Sequence, residues 1–389
     1  MIWQISPRHL PARAHLYSGE RRGLGERLGA LGCGGLVPTL DDFRPEGAGD
    51  VVRVLIDATA LPANRGGVGR YVDELVARLP SLGTDVHVAA QPRDARRYAT
   101  VIGRDQVHLA PAWAHKPLPR LAWEQTGLPL LVRRIRPDVV HSPHYTMPLA
   151  TSLAGRAKQV VTLHDATFFS LPELHLGVKA AFFAQWIRIA TRRADALIVP
   201  SRATLEEIVE HTNIDPARVT VIPHGVDHQR FQPPTAQAVA EVRQWLGLAP
   251  DTAYCAFLGT LEPRKNVPAL IRAYSMSCAQ LPSPPLLVLA GGRGWDAGID
   301  AALAQVPARL TVLCPGFVPE PFVPALLGGA EILAYPGLGE GFGLPVLEAM
   351  ACGAPVLTTR RLSLPEVGGD AVAYAKSPGE ADLAAALTR

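Results

Sequence analysis

From Val51 onward, short apolar runs alternate with stretches of helical periodicity, and few folds accept that alternation. The first run, Val51-Val52-Arg53-Val54-Leu55-Ile56-Asp57, reads as a buried strand that leads through a glycine loop into a helix ending near Leu79. Further strands are expected at 85–90, 106–110, 138–142, 159–163, 195–199 and 218–222, with helices near 120–135, 176–193 and 201–212. Phe231-Gln232-Pro233-Pro234 interrupts the pattern as a linker. A second alternation follows, with strands at 253–258, 285–290, 310–314, 331–335 and 354–358 and helices at 236–247, 266–279, 296–305 and 344–352. This predicts an α/β protein of two doubly wound, Rossmann-like domains, 51–232 and 233–389, facing across a cleft. Ligands in such sheets bind beyond the carboxyl ends of the strands, so the glycine loops at 64–69, 259–265, 291–294 and 337–343 should open on that cleft. Residues 1–50 are glycine- and arginine-rich without a period, and are expected to be a poorly ordered extension.

Composition excludes several classes. A net charge of +3 is too weak to argue for nucleic acid. Five cysteines, an odd number with no C-x-x-C pair, argue against a disulfide framework; Cys255 and Cys314 lie in apolar runs and are expected as buried thiols in a reducing cytoplasm. No apolar run reaches the ~18–20 residues a membrane helix needs. Phe182, Phe183, Trp186 and Ile187, flanked by Lys179, Arg188, Arg192 and Arg193, read first as a core helix with basic flanks. Peripheral contact with a membrane that carries the acceptor is the second reading. No His, Cys and Asp cluster suggests a bound metal.

The chemistry concentrates in Glu340-Gly341-Phe342-Gly343-Leu344-Pro345-Val346-Leu347-Glu348, a glycine loop between a strand and a helix. The glycines let a ligand approach the backbone, and Pro345 suits a first helical turn. The unpaired amides of that turn, with the helix dipole, favour a phosphate. Glu340 and Glu348 flank that anion site and are suited to accept from sugar hydroxyls. Hydroxyls on both sides of a diphosphate describe a nucleotide-sugar. Gly259-Thr260-Leu261-Glu262-Pro263-Arg264-Lys265-Asn266 also follows a strand, and Arg264 and Lys265 can offset charge growing on a departing diphosphate. Asn64-Arg65-Gly66-Gly67-Val68-Gly69-Arg70 is neither a dinucleotide fingerprint, since Val72 fills its last slot, nor an NTPase loop. His164 ends a strand, where it can donate to a sugar hydroxyl. Ser201 is most simply a helix N-cap, and Gly291 is expected to let the backbone approach a nucleotide base.

Glu-x7-Glu inside GFGLP-x-LEAMACG resembles the signature of the large retaining glycosyltransferase family of the GT-B fold, family 4 type, and GTLEPRKN is similar to a subgroup among bacterial polysaccharide mannosyltransferases. The resemblance covers roughly 51–389. It implies an enzyme moving a sugar from a nucleoside diphosphate, GDP-mannose or a UDP-sugar, to a hydroxyl of a glycan or lipid-linked saccharide with retention. No cofactor and no metal are implied. It implies catalytic roles for His164, Arg264, Lys265 and Glu340; donor contacts from Gly66, Gly67, Gly291, Gly341, Phe342, Gly343, Leu344 and Glu348; and acceptor-side places for Arg65 and Asp165, the latter also a candidate to orient His164. Many members carry an arginine where Thr260 stands, so Arg264 is expected to supply that cation. Pro223-His224-Gly225-Val226-Asp227 resembles an architectural turn at the domain junction. The sequence ends inside a starting helical pattern, 385–389, earlier than members usually end. A nucleotide-sugar epimerase, a nicotinamide-dependent oxidoreductase and a non-catalytic nucleotide-sugar-binding protein are the rival readings. Changing Glu340 to alanine is expected to abolish transfer and leave the fold intact.

Overall fold

The computed structural model describes residues 51–63, 65–150 and 156–388; the expected extension at 1–50 and Asn64 lie outside them. Two all-parallel sheets carry the chain. The first, of seven strands, comprises β1 (Arg53–Asp57), β2 (Asp85–Ala90), β3 (Val107–Leu109), β4 (Val139–Ser142), β5 (Lys158–Thr162), β6 (Ala196–Val199) and β7 (Val219–Val221), in the order β3-β2-β1-β4-β5-β6-β7. The second, of six, comprises β8 (Tyr254–Leu258), β9 (Leu286–Ala290), β10 (Val312–Gly316), β11 (Ile332–Tyr335), β12 (Val356–Thr358) and β13 (Ala373–Tyr374), in the order β10-β9-β8-β11-β12-β13.

β1 shows why its run is apolar throughout. Successive side chains of a strand point to opposite faces, and both faces of a parallel sheet are covered by helices. Val54 and Ile56 pack with Val72 and Val76 of α1 (Gly67–Arg78), whereas Leu55 packs with Trp123, Leu128 and Val132 of the helix Pro117–Ile135. The second sheet's core gathers Phe257, Val288, Leu289, Leu333 and Tyr335.

Three more helices matter below: α2 (Arg202–Thr212), α3 (Val267–Cys278) and α4 (Leu344–Ala351). The helix Glu380–Leu387, reached only at the end of the sequence, packs on α3 through Leu383 and Ala384 against Ala269 and Ala273. The expected helices and strands are present within a few residues. The helix Gly177–Arg193 buries Ala180, Ala184, Trp186, Ile187 and Ala190, as a core helix should. One burial expectation is corrected: Cys314 is exposed, because β10 is the sheet's edge strand. Among the described residues, no helix is long and apolar enough to cross a membrane.

Strand order reverses between β1 and β4 in the first sheet and between β8 and β11 in the second. At such a switch point the loops leaving two neighbouring strands diverge and open a crevice. β8 and β11 are hydrogen-bonded neighbours, and they carry the Gly259–Asn266 and Pro336–Gly343 loops.

Candidate active site

Lys265, Arg264 and Glu340 meet where these two loops converge. Glu340 is 5% exposed; its Oε1 accepts from Lys265 Nζ at 2.5 Å and from the Tyr335 hydroxyl at 3.1 Å, and its Oε2 accepts from Arg264 Nη1 at 2.9 Å. Arg264 also pairs with Glu262 at 2.6 Å, and Lys265 donates to the Tyr335 hydroxyl at 2.5 Å. Burial alone would raise the Glu340 pKa, but Arg264 and Lys265 outweigh it and hold the carboxyl below its usual range. Burial, then the neighbouring Arg264, draws Lys265 downward. The charge of both cations is thus matched by neighbouring carboxylates.

Gly343 adopts φ +106°, a left-handed angle that favours glycine, and Pro345 falls in the first turn of α4, where no amide is needed. Glu348 lies on α4 and is 3% exposed. Its Oε1 accepts from Arg70 Nη1 of α1, while Oε2 is buried without a hydrogen-bond partner among the described residues. Burial pushes its pKa to about 7, against the pull of Arg70. Gly66 precedes α1, and a Cβ placed on Gly67 would stand 3.6 Å from Leu344 Cδ1, so the first turns of α1 and α4 face each other.

The first sheet meets this loop directly. A Cβ on Gly341 would fall 1.7 Å from the His164 carbonyl oxygen and 2.9 Å from Asp165 Cβ, so only glycine fits there. Ser201 caps α2, accepting from Thr204 N at 3.1 Å, and also donates to the Gly341 carbonyl at 2.7 Å; Thr204 Oγ1 donates to the same carbonyl at 3.2 Å. Ser201 is therefore more than a cap. Glu366 accepts from the α2 amides of Arg202 and Ala203 at 2.9 and 2.8 Å, a second link between the halves. Phe342 lies 5.0 Å, ring to ring, from His224, whose own ring is 5.9 Å from His164 and 5.1 Å from Tyr71. His224, expected to be merely architectural, thus borders the cleft.

Three expectations need correction. His164 Nε2 lies 2.8 Å from the Pro143 carbonyl, which can only accept, so Nε2 carries the hydrogen. Burial depresses the ring's pKa and keeps it neutral, leaving Nδ1 to accept from a hydroxyl rather than donate to it. Pro143, not Asp165, holds the ring; Asp165 Oδ1 accepts from Thr167 Oγ1 at 3.0 Å. Arg65 is spent on structure: it is 9% exposed and engages Asp94 at 2.8 Å, Asp73 at 3.3 Å and the Pro62 carbonyl at 3.1 Å. The arginine that reaches across the cleft is Arg70, five residues on and inside α1, whose place at the end of the same glycine loop could have suggested it. Gly291, at φ +140°, has a backbone reason of its own beside the expected approach of a base, since a Cβ there would fall 2.0 Å from the Gly259 carbonyl oxygen.

Two family models match the chain: Glycosyltransferase Family 4 over residues 65–230 and Glycosyl transferases group 1 over residues 239–389. The O-antigen chain mannosyltransferase B of Escherichia coli is 31% identical over 263 residues, covering 66% of this chain. The match spans 65% of that relative, just under two thirds of its length. A D-inositol 3-phosphate glycosyltransferase of Jonesia denitrificans is 29% identical over 338 residues, covering 80% of this chain and 78% of its own. Among solved structures, HepE of Anabaena in complex with UDP and glucose has the same fold, with a TM-score of 0.66 at 19% identity over 87% of this chain and 89% of that one.

Proposed function

We propose that this chain, which belongs to the glycosyltransferases of the group 1 type and has their two-sheet GT-B fold, moves a sugar from a nucleoside diphosphate to a hydroxyl acceptor with retention at the anomeric carbon. The observation that carries the reading is the convergence of Arg264, Lys265 and the first turn of α4 at the switch point of the second sheet. A diphosphate lodged there would meet two cations and a helix dipole, which stabilise the charge that develops as it departs. Glu340 would turn its oxygens to the donor sugar and Glu348 to the ribose, and His164 would accept from a hydroxyl of the reacting sugar. In the transfer, the bond from the anomeric carbon to the phosphate oxygen breaks and one to the acceptor oxygen forms. The acceptor's proton passes to an oxygen of the leaving phosphate, so no protein nucleophile is required. The lobes 51–232 and 233–389 would close around the donor. The O-antigen chain mannosyltransferase among the relatives favours mannose as the sugar; the acceptor we assign is a glycan or lipid-linked saccharide.

A panel of GDP- and UDP-sugars, scored by thermal shift and by nucleotide released with and without oligosaccharide acceptors, tests this. Stabilisation by one nucleotide-sugar and acceptor-dependent nucleotide release are expected. Nucleotide-sugar isomerisation without release, or binding without turnover toward any acceptor, would overturn it.

A further inference from the structure

Arg70 has no part in the reading so far, yet it is the cation that crosses the cleft. Its guanidinium, 24% exposed, leaves α1 in the first sheet and meets Glu348 Oε1 on α4 in the second. Glu348 is almost wholly buried, and its Oε2 has no hydrogen-bond partner among the described residues. A buried carboxylate with one oxygen unmatched is costly. Such an arrangement suits a carboxylate that waits for a ligand's hydroxyl donors.

The charge balance points the same way. Arg70, Arg264 and Lys265 face Glu262, Glu340 and Glu348, three cations against three carboxylates. A diphosphate brings fresh negative charge and needs a cation released from its carboxylate. Glu340 is held by two cations, Glu348 by Arg70 alone among the described side chains within salt-bridge reach. When a ribose diol donates to Glu348, its oxygens are satisfied without Arg70. That guanidinium can then take phosphate oxygens in its planar fork. The facing first turns of α1 and α4 keep phosphates near it, and α1 has no acidic residue in its first turn to repel them.

Resting on the donor reading above, we infer that Arg70 is a ligand of the donor diphosphate, handed from Glu348 to the phosphates as the ribose hydroxyls take its place on that carboxylate. The link between the sheets then passes from a carboxylate to the substrate, so the donor itself ties the halves together.

Calorimetric titration of GDP, GMP and guanosine, and of UDP, UMP and uridine, into wild type, R70A and R70K tests it. The preference for diphosphate over monophosphate should fall about ten-fold or more in R70A and recover partly in R70K, with nucleoside binding unchanged. Equal weakening toward all three probes would mean that Arg70 is only a strut, and no change would mean that it is a bystander; either overturns the inference. E348Q supplies a second arm should R70A not fold. With Arg70 released, inorganic pyrophosphate should bind E348Q several-fold more tightly than wild type, and unchanged or weaker binding refutes the exchange. If the wild type binds neither nucleotide series, the donor reading itself fails, and this assignment fails with it.

Discussion

Replacing Glu340 with alanine should unsettle the protein before it reveals anything about transfer, which revises the expectation of an intact fold. Glu340 is the shared counter-ion of Lys265 at 2.5 Å and Arg264 at 2.9 Å. Once it is gone, Arg264 keeps Glu262, but Lys265, 7% exposed, keeps only the Tyr335 hydroxyl. Breaking a buried pair on one side costs roughly 3–5 kcal/mol, because the surviving charge stays desolvated. At roughly 2–4 °C per kcal/mol, the melting temperature should fall by roughly 6–20 °C. Circular-dichroism melts of E340A, K265M and the double variant give the cycle: the double variant should be more stable than E340A, since it removes the stranded ammonium. Saturating GDP should also raise the melting temperature of E340A by more than it raises that of wild type, because a phosphate restores the missing anion. An E340A melt within about 2 °C of wild type, with no coupling to K265M, would refute the buried ion cluster as the organising feature of this site.

Three further outcomes follow from the same geometry. G341A should cut kcat by roughly 100-fold and lower the melting temperature by a few degrees, because the added methyl collides with the His164 carbonyl and forces the halves apart, breaking the Ser201 and Thr204 bonds to the loop; steady-state kinetics, thermal melts and small-angle scattering check this. Glu348 has a folded pKa near 7, above its ordinary 4.5, so the folded state holds the proton more tightly than the unfolded chain does. Its stabilising contribution is complete below that ordinary value and disappears as pH rises through 7. Wild type should therefore lose melting temperature relative to the non-titrating E348Q from pH 5 to pH 8, and only this difference isolates the group, because Glu124 and Glu207 are also pushed to about 7. S201A should cost roughly 1–2 kcal/mol in denaturant unfolding, from the lost cap and the lost bond to Gly341, and S201T should recover most of it.

Much of this was legible because local chemistry dictates it. The apolar runs, the prolines in first turns and the glycine that must adopt a left-handed angle at 343 are constraints within a few residues. What escaped the sequence was pairing at long range. That Glu348 belongs to Arg70 depends on how the two sheets meet, across 278 residues. Arg65 looked the better candidate because it stands in the glycine loop, yet Asp73 and Asp94 hold it in place. Ser201 announced its cap through its position before α2, but nothing nearby announced the Gly341 carbonyl. Nothing in the local sequence showed that Gly291 must also clear the Gly259 backbone.

The Gly341 loop is therefore shaped from both sides. Its own half supplies Ser363, whose hydroxyl lies 2.7 Å from the Glu340 carbonyl and 2.9 Å from that of Phe342. The other half supplies the Ser201 and Thr204 hydroxyls and the close approach of His164. If the halves part, the carbonyl of Gly341 loses its donors and the loop loses the wall that fixes its path. The geometry of the anion site would then depend on closure, and an open form would present a looser cradle. On the proposed donor reading, a site built this way would couple two events that a rigid pocket leaves independent: the arrival of a diphosphate and the meeting of the two sheets. S201A should therefore raise the donor KM through a faster release of the nucleotide, with its association rate unchanged. Stopped-flow dissociation of a fluorescent GDP analogue reads this directly, and an unchanged release rate would show that the loop holds its shape without help from the first sheet.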